Sequence, residues 1–286
     1  MAHYLDPKND LTFKRVFGEH KHLCMSLINN MLPLNKPIIE IEYQSGELIP
    51  EIPDLRNSIV DVRCIDIDKR QFIVEMQMYW SESFKSRVLL NASKAYIKQL
   101  DKAQDFELLQ PVYALNFVND TFEKSPEMKD EYYHYFKIVN IKDTEKQIKG
   151  LEFLFVELPK FKPLNRAEKK LHELWLRFLT EINETTEEIP EELLKNELTR
   201  EAVGYMKKAA YTKEQLNAYD KWKINAMTER SALNDAKKEG REEEKKESMK
   251  KINGIALNAL EMGMSIDDTI KLTGLSKQQI EELIRL

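Results

Sequence analysis

Two apolar runs separated by three residues constrain this chain more than anything else in it. Residues 58–67 read SIVDVRCIDI and residues 71–78 read QFIVEMQM, with only Asp68-Lys69-Arg70 between them. That spacing predicts a β-hairpin. Alternation along the second run puts Phe72, Val74, Met76 and Met78 on one face and Ile73, Glu75 and Gln77 on the other. The first run carries Asp61 between Val60 and Val62. Acidic residues are depleted from the middle of strands because burying a charge is costly. Two such acids on neighbouring strands need a shared partner. A divalent cation is the economical one, since Mg2+ takes one or two carboxylates and fills its shell with water and phosphate oxygens. The Asp61…Glu75-x-Gln77 arrangement therefore fits metal-assisted phosphodiester cleavage.

The hairpin sits in an alternating pattern. A helix is expected over 11–31, capped by Asn9 or Asp10 and closed before Pro33. A β-like run follows at 38–43, then a loop with Gly46, Pro50 and Pro53. After the hairpin a helix is expected over 83–104, then strands at 111–119, 132–140 and 151–158. This order predicts an α/β layout around one central sheet. With Gly at 8 and Pro at 10, the composition argues against a turn-dense β-sandwich. From Arg166 to about Lys251 the pattern is helical, and residues 229–251 are so charged that they predict an exposed helix or a mobile tether. The last segment predicts three short helices: 252–262, a second capped by Ser265 and ended by Gly274, and a third opened by Ser276 with Gln279 as a capping box. The expected domains are thus 1–162, a helical region with charged tether at 163–250, and a three-helix unit at 251–286.

A net charge of −5 excludes a uniformly basic nucleic-acid binder and leaves room for a local basic patch. Lys14, Arg15, Lys85, Lys94 and Lys98 are the candidates for such a rim, contacting a DNA backbone. Cys24 and Cys64 make no disulfide framework, and the five His residues show no ligand spacing. Cys64 alternates onto the face opposite Asp61 and reads as core, while Asp66 and Asp68 read as turn residues. There is no membrane-spanning apolar run, and the start MAHYLDPKND has neither the basic nor the apolar part of a secretory signal. The expectation is a soluble, cytoplasmic protein without a membrane partner.

Five segments in order carry a family resemblance: LDPKNDLTFKRVFG at 5–18, SIVDVRCID at 58–66, FIVEMQM at 72–78, FKSRVLLNASKAYIKQL at 84–100 and PVYALNF at 111–117. Together they resemble the Rpn family of recombination-promoting nucleases, also called PD-(D/E)XK nuclease family transposases. The tail MGMSIDDTIKLTGLSKQQIEEL resembles that family's usual ending. The resemblance implies an α/β, restriction-endonuclease-like core with a mixed central sheet flanked by helices, followed by an all-helical C-terminal region. It implies Mg2+, with Mn2+ able to substitute, bound by Asp61, Glu75 and the carbonyl of Met76. It places the nucleophile-positioning role on Gln77, where Lys usually stands; Lys donates charge, whereas Gln can only hydrogen-bond. Two accessory positions lie in the motifs. Asp10 is either the family's recurrent acid or a helix N-cap. Arg87 reaches phosphate, clamps a site carboxylate, or is an exposed helix residue.

The function implied is a bacterial DNA endonuclease of low sequence specificity, acting in recombination, mobile elements or phage defence. The rival readings are a nuclease-fold DNA-binding or regulatory module with little or no activity, and a transposase-type strand-transfer protein. The apolar positions of the last 35 residues are too many for so short a unit to bury alone. A homodimer or higher homo-oligomer through this helical region is therefore expected. A helix-turn-helix reader is the alternative, opposed by Glu281-Glu282 in the third helix.

Overall fold

The computed structural model describes residues 3–48, 58–100, 105–163 and 170–285. Asn9 caps the first helix, α1 (Asp10–Phe13), accepting the Leu11 N–H at 2.9 Å. The chain then widens into a π-helical turn at Lys14–Gly18, breaks, and resumes as α2 (Lys21–Met31). The single helix expected over 11–31 is therefore two. Phe13, Val16 and Phe17 are buried before the break, and Leu23, Cys24 and Leu27 after it.

The strands follow as β1 (Ile41–Tyr43), β2 (Glu47–Leu48), β3 (Ser58–Ile59), β4 (Val62–Asp66) and β5 (Gln71–Gln77). Helix α3 (Glu82–Ile97) leads to β6 (Val112–Val118), β7 (Tyr133–Asn140) and β8 (Asp143–Glu157). The main sheet has six strands in the order β1-β4-β5-β6-β8-β7. β5, β6 and β8 run parallel, and β1, β4 and β7 pair antiparallel to their neighbours, so the sheet is mixed. The hairpin β4–β5 forms as expected, with one correction. Its first strand divides at Val60-Asp61, and β3 pairs with β2 instead. Gly46 permits this division, because a Cβ there would stand 2.6 Å from the Val60 carbonyl oxygen.

One face of the sheet packs Val62, Cys64, Phe72, Val74, Leu115 and Phe117 against α1, α2 and α4 (Leu171–Glu181), with Phe17, Trp175 and Phe178 at the centre. The other face packs Ile73, Ala114 and Val118 against Phe84, Val88, Ala92 and Ala95 of α3. Helix α3 ends at Ile97; the expected last turn at 101–104, the loop prolines Pro50 and Pro53, and the expected helical onset at Arg166 lie outside the described residues.

β8 begins at Asp143, well before the expected 151, and its first half is mostly exposed. That half, DTEKQIKG, lacks the alternation that marks a half-buried strand. At the other end of β8, Glu157 is fully buried. One of its oxygens accepts the Phe122 and Glu123 N–H groups at 2.6 and 3.1 Å. The other meets His134 Nε2 at 2.8 Å and Lys160 Nζ at 2.6 Å. This one carboxylate pins the long β6–β7 connection to the sheet.

The chain divides into two compact units, Met1–Ile224 and Asn225–Leu286. The first also contains α5 (Glu191–Lys195) and α6 (Glu197–Tyr205). Helix α7 runs from Lys213 to Glu261, so the charged stretch 229–251 is helical and exposed, with no break at Ile252. In the second unit, α8 (Ile266–Thr273) is capped by Ser265 and closed by Gly274 at φ 71°. Ser276 and Gln279 exchange the two bonds of a capping box, at 2.9 and 3.3 Å, ahead of α9 (Lys277–Arg285). Ala256, Leu275 and Ile280 form its small core. Among the described residues no helix is long and apolar enough to cross a membrane.

Removing one partner from a buried charged network leaves the others unpaired. Glu157→Ala is therefore expected to cost about 3–5 kcal/mol in urea unfolding. A loss under about 1 kcal/mol would show that the network does not anchor the connection.

Candidate active site

The pairing of β4 with β5 decides where the acids stand. Val62 is the first residue of β4 and pairs with Val74. Continuing that register by one step sets Asp61 across from Glu75, on the same face. Because β4 has ended there, the Met76 N–H has no ladder partner on that side. The Asp61 side chain takes its place, with Oδ2 accepting the Met76 N–H at 2.8 Å. The acid thus closes the strand pair that positions it.

Glu75 is buried on the α3 face and is held from that helix. Asn91 Nδ2 donates to Glu75 Oε1 at 3.1 Å. Arg87 lies 3.8 Å from the other oxygen, Oε2. Lys14, at the start of the π-helical turn, lies 3.6 Å from Asp61 Oδ1 and 2.6 Å from Asp10 Oδ1. Each carboxylate therefore commits one oxygen to a fixed neutral donor and turns the other toward a cation beyond hydrogen-bonding distance.

The electrostatics follow. Desolvation pushes the Asp61 carboxyl up to about 7; the Met76 N–H opposes this and the charge of Glu75 adds to it. Burial raises Glu75 as well, against the pull of Arg87 and Asn91. Burial works against the Lys14 ammonium, yet Asp10 and Asp61 hold its pKa above the ordinary lysine value. Two acids of like charge are held together with incomplete neutralisation, a donor set that suits a hydrated divalent cation. Among the described residues no group of three or more His, Cys, Asp or Glu forms an all-protein metal cage. Any ion held here would keep water in its shell.

Gln77 has both ends of its amide engaged. Its Nε2 donates to the Tyr79 carbonyl at 2.8 Å, and its Oε1 accepts from Arg87 at 2.7 Å. Arg87 also lies over the Phe84 ring, 4.9 Å from its centroid. Asp61, Glu75, Gln77, Asp10, Arg87 and Lys14 are thus brought together, with Met76 between the two acids. The other basic candidates stand apart. Arg15 donates to the Ala210 carbonyl and stacks on Tyr211. Lys85 lies over Trp80, while Lys94 and Lys98 continue down α3 from Arg87.

Sequence reasoning missed Asn91. It is fully buried, and its Oδ1 has no partner among the described residues. The signal was available: Asn91 stands one helical turn after Arg87, amid apolar positions that face the sheet. A cleft of about 490 Å3 lies at the opposite end of the strands, where Lys36, Arg70 and Tyr113 line it. There Lys36 meets Asp68 and Arg70 meets Asp66, each at 2.7 Å, and Lys137 and Lys149 add to a lining in which cations outnumber acids.

A family model described as PD-(D/E)XK nuclease family transposase matches residues 7–236. The chain belongs to that family, which gives it a nuclease or transposase-related role and implies DNA as substrate. Searches of curated proteins and of solved structures find no match.

Raised carboxyl pKa values mean that the folded state binds more protons than the unfolded one. The stabilisation from Asp61 is full below its unfolded value near 4 and is lost as pH rises through about 7. In EDTA, the Tm of the wild type relative to Asp61→Asn is therefore expected to fall between pH 5 and 8. The change should be on the order of 2 kcal/mol, a few degrees. Parallel pH profiles for the two proteins would refute the raised carboxyl.

Proposed function

We propose that this family member is a divalent-metal-dependent deoxyribonuclease of low sequence specificity, with Asp61, Glu75 and the Met76 carbonyl holding the ion. The observation that carries this reading is the pair of adjacent acids, each with one oxygen fixed by a neutral donor and the other incompletely neutralised. When bound, Mg2+ or Mn2+ supplies a water of lowered pKa and offsets the charge developing on phosphate.

The chain's own residues do the rest. Asp61 is held in place by the Met76 amide, and Asn91 orients Glu75. Arg87 provides the positive charge that position 77 lacks, and Gln77 holds its guanidinium beside Glu75. Arg87 and Lys94 on α3 and Lys98 at its C-cap recur at helical spacing, a row of cations suited to a DNA backbone. The role in recombination, mobile elements or phage defence rests on the family resemblance, and the cytoplasmic setting on the sequence reading.

Plasmid nicking tests the reading. Mg2+ should support it and EDTA should stop it. Asp61→Ala and Glu75→Ala should each lower the rate by at least about 10³-fold while the fold survives. Equal nicking by wild type and Asp61→Ala would reject the assignment. Gln77→Ala should cost about tenfold by loosening Arg87. Gln77→Lys should not restore the rate, because its ammonium would stand against Arg87. Joined rather than nicked products would favour strand transfer.

The second unit is proposed as the self-association surface. Its core is small, and Ile255, Leu272 and Ile284 are each more than half exposed, at 51%, 57% and 54%. Leu272→Glu with Ile284→Glu in the full chain should lower the sedimentation coefficient to that of a monomer. An unchanged coefficient would place association elsewhere.

A further inference from the structure

The π-helical turn puts Lys14 in a different position from the other basic candidates. Its ammonium lies 2.6 Å from Asp10 and 3.6 Å from Asp61. The Asp61 oxygen that it faces is Oδ1, the one that the Met76 amide leaves over. The backbone beneath Lys14 is fixed, since Phe13, Val16 and Phe17 are fully buried around it. The turn also rests on β4 beside Asp61, where a Cβ on Gly18 would stand 3.7 Å from Val62. The head is not fixed in the same way, because the Lys14 side chain is 38% exposed on a flexible stem. π-helical turns occur often at functional positions.

Resting on the metal reading of Asp61, we propose that Lys14 is a releasable phosphate clamp. In the metal-free protein its ammonium is the counter-ion of Asp10 and Asp61. With a divalent ion on Asp61, the attraction to Asp61 would be lost and only the exposed Asp10 pair would remain, weak enough for the ammonium to meet a DNA phosphate. Metal loading and DNA binding are thereby coupled through one side chain.

Two features support a clamp rather than an ordinary helix pair. An exposed i,i+4 Asp10–Lys14 pair would be worth a few tenths of a kcal/mol and would ignore Asp61. Here the same ammonium also faces Asp61, whose side chain is 20% exposed, on the segment that leads into β4. The site's other cation is differently placed: Gln77 holds Arg87 directly, so Arg87 has less freedom to leave. Coupling between two ligands is reciprocal, which gives two independent measurements.

The test uses the full chain, with Ca2+ as the probe ion and a short DNA duplex. Calorimetry without DNA should find that Lys14→Met binds Ca2+ about threefold to tenfold more tightly than wild type, because a competing charge has gone. DNA binding is then followed by anisotropy in Ca2+ and in EDTA. The gain on adding Ca2+ should be about fivefold to tenfold larger for wild type than for Lys14→Met. In Ca2+ the wild-type salt slope should be steeper by about one phosphate contact. Lys14→Arg should recover most of the gain.

Equal Ca2+ gains for wild type and Lys14→Met, or an unchanged Ca2+ affinity, would overturn the clamp. If wild type binds no Ca2+, or binds it as well after Asp61→Ala, the metal reading fails and the clamp fails with it. Ca2+ binding that Asp61→Ala abolishes but Lys14→Met leaves unaltered would sink the clamp alone.

Discussion

Holding two carboxylates side by side in a largely buried place is unfavourable, and much of the N-terminal half of the chain is arranged around that cost. The antiparallel register of β4 and β5 brings Asp61 opposite Glu75. Three elements then limit the repulsion: the end of β5 through the Met76 amide, α3 through Asn91 and Arg87, and the first helical segment through Lys14. None of them removes it. Had Arg87 and Lys14 formed close, buried salt bridges, the acids would be satisfied and inert toward an added cation. Their longer distances leave an electrostatic demand that only the folded chain creates.

The same arrangement accounts for glutamine at position 77. A lysine there would bring its own charge to the strand but would face Arg87. Glutamine presents a carbonyl oxygen to that guanidinium and anchors its amide nitrogen on Tyr79. The charge has moved from the strand to the helix, and the amide has become its bracket. This makes Arg87 and Gln77 a single device, so the residue type at one position is understood only with the other.

Much of this was legible in the sequence where burial imposes a period. The hairpin, β6 and the facing apolar rows of α3 follow from alternation in steps of two and of three or four, and the sheet they build is the expected mixed one. The misses have a common cause: they are features that burial does not write. The first half of β8 is exposed and so carries no alternation. The division at Val60-Asp61 depends on a close backbone approach to Gly46. Glu157 falls near the end of the strand expected at 151–158, where alternation says nothing of its partners; it is a fully buried hub whose four partners come from three segments. In the site, the acids were readable as charges out of place. Asn91 gave a weaker signal, a neutral amide one turn after Arg87 among apolar residues. The approach of Lys14 to Asp61 could not be read, since it depends on where a π-helical turn sets the first helix against β4.

The order of strands in the sheet has a consequence for how the protein is made. Every residue gathered around the carboxylates lies between Asp10 and Asn91, in the first third of the chain. The strand that carries Glu75 is central, however; its parallel neighbour β6 is not finished until Val118, and β8 beyond β6 not until Glu157. On the ribosome the reactive groups emerge early, with β4 already beside β5, but the strand beneath them gains its second flank only after another stretch of synthesis. Trp175 and Phe178, which complete the core on the other face, arrive later still. A nascent chain therefore carries all the charges of the site well before it has the rigidity to hold them together, and any activity they support is deferred until the domain is nearly whole.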